Sequence, residues 1–302
     1  MPSDKLAYEA GLGCAETNVP YLLRKWQLTN TRYLLGPAGY LSALNQELDS
    51  VLHRFRILAP FKLAPKPGVE NINSLAEITA EEAPDGGLAV FDFTGALPRA
   101  KLYSNWRVST NSPAALQQWL NTAQQRLPRE WSDALARVSP TDQATLKELG
   151  SASFDPEQTV LLASPPPGPA ASSTDTTNQS PGTVEFKDYA PKDIHLHVNA
   201  NAASVLLLND KYDPNWKVYV DDKPSALLRC NFIMQGVQVP QGDHVIEFRL
   251  EVSRTPLYIS LSAIGIGLLL IGFLTLGTRR EKSSWPEVQI KNQAAPISNR
   301  KK

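Results

Sequence analysis

The stretch Asp210–Pro224 (DKYDPNWKVYVDDKP) places aromatic, carboxylate and amide side chains around one tight turn. Such a group has three uses: aromatic rings stack on sugars, side-chain oxygens bind calcium, or both kinds of residue build core and turn. Tyr212 and Tyr219 are the candidate glycan contacts. The oxygens belong to Asn209, Asp210, Asp213 and Asn215. Their spacing lacks the regularity and the bidentate Glu of a calcium loop, so the pattern favours turn capping.

The second half of this stretch alternates in the manner of a strand, with one apolar and one polar face. The predicted structural core of the motif consists of Pro214, Trp216, Val218 and Val220. Trp216 shares its face with valines, so we expect it in a core and not on a sugar-binding surface. Tyr219 falls on the opposite, polar face, which leaves it free for contact with a ligand.

Signals for catalysis and for metal binding are weak throughout the sequence. His195 and His197 alternate outward on a predicted strand with no third ligand nearby in the sequence, so a metal site is not expected. There is no Gly-rich phosphate loop, nucleophile elbow or HExxH motif. Cys14 and Cys230 are predicted to be unlinked buried thiols, with a disulfide in an oxidising compartment as the alternative. The sequence therefore predicts no catalytic residue, no metal and no cofactor.

Charge is balanced over the 302 residues, with 30 basic and 30 acidic side chains. No general attraction to nucleic acid is expected from this balance, and the length allows roughly two domains. The distribution is uneven, because residues 279–302 contain seven Lys or Arg and two Glu. This basic tail follows directly after the most apolar part of the chain.

Residues 255–278 contain no charged side chain, and Leu257–Leu276 is a run of 20 mainly apolar residues. About 20 such residues form a helix that crosses a bilayer. A buried helix of a soluble domain is the alternative, but it would normally show a polar face. The basic tail places residues 279–302 in the cytoplasm and residues 1–254 outside the cell membrane.

The N-terminus has no basic segment followed by an apolar one, so it is not a signal peptide. The simplest interpretation is that the chain is the C-terminal part of a larger multi-span protein. The rival is a tail-anchored protein whose bulk is cytoplasmic.

The elements that position these residues fall on two sides of a linker at 164–182, in which 14 of 19 residues are Pro, Gly, Ser or Thr. Before it, 1–163 reads as an α+β subdomain. Predicted strands there cover Leu28–Leu35, His53–Leu63, Leu88–Phe93 and Thr159–Ala163, with helices after Ser112 and over Pro128–Val138. After it, 183–254 reads as an all-β sandwich-like subdomain. One transmembrane helix (255–278) and a cytoplasmic tail (279–302) complete the predicted fold.

The succession LLLNDKYDPNWKVYVDDKP, NFIMQGVQVPQGDHVIEFRL, one apolar helix and basic residues resembles the C-terminal end of bacterial YfhO-type membrane proteins. Earlier pieces agree in order: LTNTRYLLG, ALPRAKLY, SPAALQQWL and FDPEQTVLLAS. The resemblance covers most of residues 20–278. The family tends toward an aromatic residue where Asp213 stands and toward Gly where Asn215 and Asp222 stand.

This resemblance implies relation to lipid-linked-sugar (GT-C-like) glycosyltransferases that modify cell-envelope polymers. The membrane bundle in which such a family would hold its catalytic acids lies outside this chain, so no catalytic residue is carried over. The resemblance thus implies a non-catalytic extracytoplasmic module with three partners: the lipid bilayer, an upstream multi-span helical bundle and an envelope glycan. The alternative is a self-standing membrane-anchored domain that binds glycans or proteins.

Overall fold

The computed structural model of the chain describes residues 2–16, 19–167, 180–251 and 255–282. The helices are α1 (Pro2–Gly13), α2 (Tyr21–Leu28), α3 (Leu41–Ala43, within a helical segment at 38–48), α4 (Pro113–Arg126), α5 (Arg129–Arg137), α6 (Pro140–Leu149) and α7 (Thr255–Lys282). The first strands are β1 (Tyr33–Pro37), β2 (Phe55–Pro65), β3 (Ile78–Glu82), β4 (Leu88–Phe93), β5 (Ala100–Tyr103), β6 (Asn105–Val108) and β7 (Thr159–Leu162). The later strands are β8 (Gly182–Ala190), β9 (Asp193–Ala200), β10 (Ser204–Lys211), β11 (Trp216–Val220), β12 (Lys223–Ser225), β13 (Leu228–Cys230), β14 (Met234–Val239) and β15 (Gly242–Leu250).

Three sheets organise the folded unit Met1–Glu251. The N-terminal sheet has the order β1-β4-β2-β3 and is antiparallel. The central sheet has the order β5-β10-β14-β13-β7-β6, with β6 and β7 parallel. The outer sheet has the order β12-β11-β15-β9-β8 and is antiparallel.

The central sheet is covered on both faces, which explains the continuous apolar run of β10. Val205 and Leu207 belong to a core shared with α1, α4, α5 and α6. Leu206 and Leu208 belong to a second core, which lies between the central and outer sheets. Apolar side chains on both faces of a strand require cover on both sides. The unit is therefore layered, with helices, the central sheet and the outer sheet in that order.

The predicted division into subdomains 1–163 and 183–254 is corrected by this arrangement. Strand β5 pairs with β10 from Ala100↔Leu208 to Tyr103↔Val205, and β7 pairs with β13 at Leu162↔Cys230. Strands from both sides of the linker thus share one sheet and both cores, so the two sides form one compact unit. Of the predicted linker, residues 164–167 and 180–181 belong to no helix or strand, Gly182 begins β8, and 168–179 lie outside the described residues.

Several local predictions are confirmed by the structure. Helix α4 begins at Pro113, and the Ser112 side chain accepts a hydrogen bond from the backbone N–H of Ala115 at 3.2 Å. Helix α5 and strands β2, β4 and β7 lie within two residues of their predicted positions. The two cysteines are buried and unpaired.

The strand predicted over Leu28–Leu35 is wrong in its first half. Leu28 ends helix α2, and strand β1 begins only at Tyr33. Thr29 closes the helix, since its backbone N–H and its hydroxyl both donate to the Lys25 carbonyl, at 2.9 and 2.7 Å. Asn30 then turns the chain with φ of 56°. A turn of this kind separates the helix from the strand within four residues.

The C-terminal unit begins at Val252 and contains helix α7. Its residues Leu257–Leu274 form an 18-residue window that is long and apolar enough to cross a membrane, and none of the window is buried. Residues 252–254 and most of the predicted tail, 283–302, lie outside the described residues.

Candidate functional site

Two exposed aromatic side chains lie on strand β8, at the edge of the outer sheet. Phe186 is opposite Leu196 and Tyr189 is opposite Ile194, and both partners point into the inter-sheet core. Residues three apart on a regular strand would point to opposite faces. A β-bulge at Lys187 shifts the register by one residue, which brings both rings to the same side. Their planes make an angle of 77°, with ring centroids 6.3 Å apart.

An arginine next to the central sheet stacks on the Tyr189 ring and pairs with an aspartate of that sheet. Strand β5, the neighbouring edge strand, lies against β8. Just before β5, the Arg99 guanidinium stacks on the Tyr189 ring at 4.1 Å from its centroid, and it donates to Asp210 at 2.7 Å. Partial burial lowers the pKa of Arg99, but hydrogen bonds to Asp210 and Tyr189 outweigh this effect, and the net pKa is raised. Arg99 therefore stays charged and paired.

Distant segments of the sequence fix this pair in place. The backbone N–H of Asn209 donates to the Arg99 carbonyl at 2.7 Å, and the Asn209 side chain donates to the Leu28 carbonyl at 2.8 Å. The end of α2, the start of β5 and the end of β10 thus meet at one point. We call the group Phe186, Tyr189, Arg99 and Asp210 the sandwich edge. It combines exposed rings with donors and acceptors, a composition suited to binding.

The predicted core of the Asp210–Pro224 motif is only partly where the sequence placed it. Trp216 and Val218 are buried in the inter-sheet core, and Val220 packs against that core while half-buried. Pro214 is exposed in the turn before β11, so its placement in the core is wrong. A proline in a turn restricts the chain through its fixed φ and needs no burial to do so.

The two predicted glycan contacts lie on different elements. Tyr212 follows β10 of the central sheet, whereas Tyr219 lies in β11 of the outer sheet. The Arg249 guanidinium is 5.2 Å from the Tyr219 ring centroid, so one face of this ring is occupied. Both tyrosines are half-buried. No described hydrogen bond or ring contact joins them, so among the described residues they do not form a shared sugar platform.

The oxygen-bearing residues of the motif divide between two roles. One carboxylate oxygen of Asp213 accepts from the backbone and the side-chain N–H of Asn215, both at 2.8 Å, which is the predicted turn capping. Asp210 instead belongs to the sandwich edge. Downstream, Asp221 and Asp222 form the turn from β11 to β12 with φ of 51° and 62°. Aspartate tolerates this left-handed conformation better than most residues.

The two outward histidines of β9 have carboxylate neighbours. His195 Nε2 is 3.2 Å from Asp193 and its Nδ1 is 3.5 Å from Glu247, while His197 is 3.7 Å from Asp243. Within the described part of the chain, no group of three or more His, Cys, Asp or Glu is arranged to hold a metal ion.

A second candidate surface lies on the N-terminal sheet. Of the 14 exposed large hydrophobic side chains described before residue 252, ten fall between Tyr33 and Leu75. The register places Tyr33, Leu35 and Pro37 of β1 on one face with Leu88 and Val90 of β4, Ala59, Phe61 and Leu63 of β2, and Ala80 of β3. We call this set the open face. Leu35 is 71% exposed and Leu63 is 59% exposed, whereas the opposite face buries Phe91 and Phe93.

One end of the open face carries charge. Asp92, itself buried, accepts from Arg32 at 2.9 Å and from Arg56 at 2.8 Å, and both arginines are more than half exposed. The hydrogen bond from Arg32, followed by that from Arg56, lowers the pKa of the Asp92 carboxyl. A shallow groove of about 260 Å³ nearby in sequence is lined by Tyr40, Ala43, Leu44, Glu47 and Leu48. The open face is therefore the second candidate for a site of interaction.

Comparison of the chain with protein-family models, with curated proteins and with solved structures finds no match in any of the three. The resemblance to YfhO-type proteins stays a prediction.

Sequence reasoning missed both surfaces. Arg99 is distant in sequence from Phe186 and Tyr189, and no periodicity in β8 indicates the bulge that brings these two rings to the same side. The one available signal for the open face was compositional. Residues 33–75 contain more large apolar side chains, in short alternating runs, than one buried sheet face can accommodate, so some of them must be exposed.

Proposed function

We propose that this chain is a membrane-tethered, non-catalytic module that serves a multi-span protein of cell-envelope glycosylation. The observation that carries the proposal is helix α7, whose uncharged window Leu257–Leu274 is long and apolar enough to cross a membrane and contains no buried residue. Exposed apolar side chains over that length need a lipid or protein environment. The envelope role rests on the sequence resemblance to YfhO-type proteins.

The open face supports a partner held in the same membrane. Four strands about 4.8 Å apart, each with about five residues of about 3.4 Å, present roughly 330 Å². A stable interface between free proteins buries about 800 Å² on each partner. A tethered partner needs less area, since both proteins stay at high effective concentration. The upstream helical bundle implied by the resemblance fits this requirement.

The membrane tether is tested by fractionation. We expect the chain to stay with membranes through high-salt and carbonate washing, and deletion of residues 255–278 to release it. A deleted form that still pellets with membranes would show that the folded unit has a membrane interface of its own.

The orientation is tested in intact cells with a cysteine introduced at Asp175 of the linker. Expressed together with the upstream helices, the module should expose this cysteine to a membrane-impermeant label, because the basic tail favours the cytoplasm. Protection of the label site would contradict both the orientation and the envelope role. The upstream DNA provides a second test: an adjacent reading frame with several membrane spans supports the multi-span assembly.

A self-standing glycan-binding domain is the second candidate function. The observation that favours it is the sandwich edge, which needs no partner chain to be complete. An upstream region that encodes no membrane spans would favour this alternative.

A further inference from the structure

We propose that the sandwich edge is a binding site for a neutral, pyranose-containing glycan. The inference deepens the proposed function and rests on it in one respect, the access of the folded unit to envelope glycans. The binding itself depends only on residues of this chain: Phe186, Tyr189, Arg99 and Asp210.

The aromatic geometry is the first argument. Phe186 is 37% exposed and Tyr189 is 46% exposed, and the bulge at Lys187 aims both at the same side. Bulges are common where a strand must re-aim a side chain beside a functional site. The two rings are nearly perpendicular, in an edge-to-face arrangement, so they form two walls of a corner. The C–H face of a pyranose packs on one wall of such a corner while its edge meets the other.

The polar groups are the second argument. Both described hydrogen bonds from the Arg99 side chain, to Tyr189 and to Asp210, leave from Nη2. A guanidinium has five N–H donors, so those on Nε and Nη1 have no acceptor among the described residues. Asp210 likewise uses only one carboxylate oxygen in its described hydrogen bond. Sugar hydroxyls both donate and accept hydrogen bonds. The sandwich edge offers them the free N–H donors of Arg99 and the free carboxylate oxygen of Asp210.

The charge balance selects the class of glycan. Asp210 neutralises Arg99 at 2.7 Å, so the pair has no net charge to attract a uronate or a phosphate. The backbone pairing of Asn209 with the Arg99 carbonyl holds the Asp210 carboxylate beside the free donors, so its repulsion offsets the attraction of Arg99 for an anionic ligand. A neutral sugar bonds to the outer N–H groups and oxygen without breaking the ion pair.

The bulge also argues against an extended peptide. Edge strands bind peptides through a regular row of free backbone N–H and C=O groups. The register shift between Phe186 and Asp188 interrupts that row in the middle of β8. A peptide strand could therefore pair with only part of this edge.

The test uses the full chain in lipid nanodiscs, since maltoside and glucoside detergents carry sugar headgroups. The probes are neutral gluco-, galacto- and N-acetylglucosamine oligosaccharides, a uronic acid oligosaccharide and an extended peptide, measured by titration calorimetry. We expect at least one neutral oligosaccharide to bind with a micromolar to millimolar Kd. Phe186→Ala should weaken it about tenfold, as expected for the loss of one stacking ring.

Matched variants make the result specific. Tyr189→Phe keeps the ring and should retain most of the affinity, whereas Arg99→Ala should lose it. Tyr40→Ala, which alters an exposed aromatic side chain elsewhere, should bind as the unchanged chain does. If Phe186→Ala melts at a lower temperature than the unchanged chain, Phe186→Leu replaces it, because leucine keeps the apolar volume without the aromatic face. Phe186→Leu should show the same loss of affinity for the oligosaccharide.

Binding of no neutral oligosaccharide, preference for the uronic acid probe or the peptide, or unchanged affinity in both Phe186 variants would each overturn the proposal. None of these outcomes bears on carbonate extraction or on linker labelling. Failure of the glycan site is therefore distinguishable from failure of the membrane-tethered function.

Discussion

Replacement of Trp216 by alanine tests whether both sides of the linker form one folded unit. Trp216 is 8% exposed and lies in the core between the central and outer sheets. Deleting a large buried aromatic costs about 3–5 kcal/mol of unfolding free energy. In a unit of this size, each kcal/mol lowers Tm by about 2–4 °C, so the variant should melt about 6–20 °C earlier.

The two native thiols provide the assay. Cys14 follows α1 in the helical layer and Cys230 ends β13 in the central sheet, and both are buried. Burial raises the pKa of each thiol, so both resist thiol reagents in the folded state. Labelling across a urea series, resolved by mass spectrometry of the two peptides, gives a midpoint for each side of the linker. We expect the midpoints to coincide and Trp216→Ala to lower both equally.

Tyr219→Ala is the matched control, because Tyr219 lies in the same strand on the opposite face. It should cost about 1 kcal/mol or less, as is usual for a residue outside the core. If Trp216→Ala shifts only the Cys230 midpoint, the two sides of the linker unfold independently, and the single folded unit is refuted. A loss at Tyr219 as large as that at Trp216 would show that the faces of β11 are assigned backwards.

Three further predictions concern the sheets. A Cβ at Gly236 would lie 2.5 Å from a backbone oxygen of β10, so Gly236→Ala should cost about 1–3 kcal/mol; an unchanged urea midpoint would contradict this close packing. Gln235 is fully buried, and neither polar atom of its amide has a partner among the described residues. Gln235→Leu should therefore raise the unfolding free energy by about 1–3 kcal/mol and with it the urea midpoint, whereas a lower midpoint would indicate a buried water that satisfies the amide. The pKa of Asp92 is depressed in the folded state, so its stabilising contribution is present above the unfolded pKa of about 4 and is lost as pH falls through the folded value. Between pH 7 and pH 3, the urea midpoint of Asp92→Asn should accordingly fall less steeply than that of the unchanged chain. If the two midpoints fall in parallel with pH, ionised Asp92 does not stabilise the fold.

Local chemistry was enough to predict several elements from the sequence. Ser112 followed by Pro113 marks a helix start, because the serine oxygen caps a free N–H and proline has no N–H to lose. The alternation of Trp216 and Val218 with polar residues identifies the buried face of β11, since successive side chains of a strand point to opposite sides. The uncharged run of residues 255–278 predicts a membrane-length helix from composition alone. Each of these signals lies within a few neighbouring residues or one continuous segment.

Only the tertiary structure decided which segments meet. The sequence of β5 does not predict that it pairs with β10, because strand pairing depends on register and on contacts between residues about a hundred positions apart. That pairing joins both sides of the linker into one unit and brings Arg99 to Asp210. The bulge at Lys187 then sets Phe186 beside Tyr189 on one side of the sheet edge, although their spacing predicts opposite faces. Alternation fixes which way a side chain points only while the register is regular, and here a single extra residue reverses it.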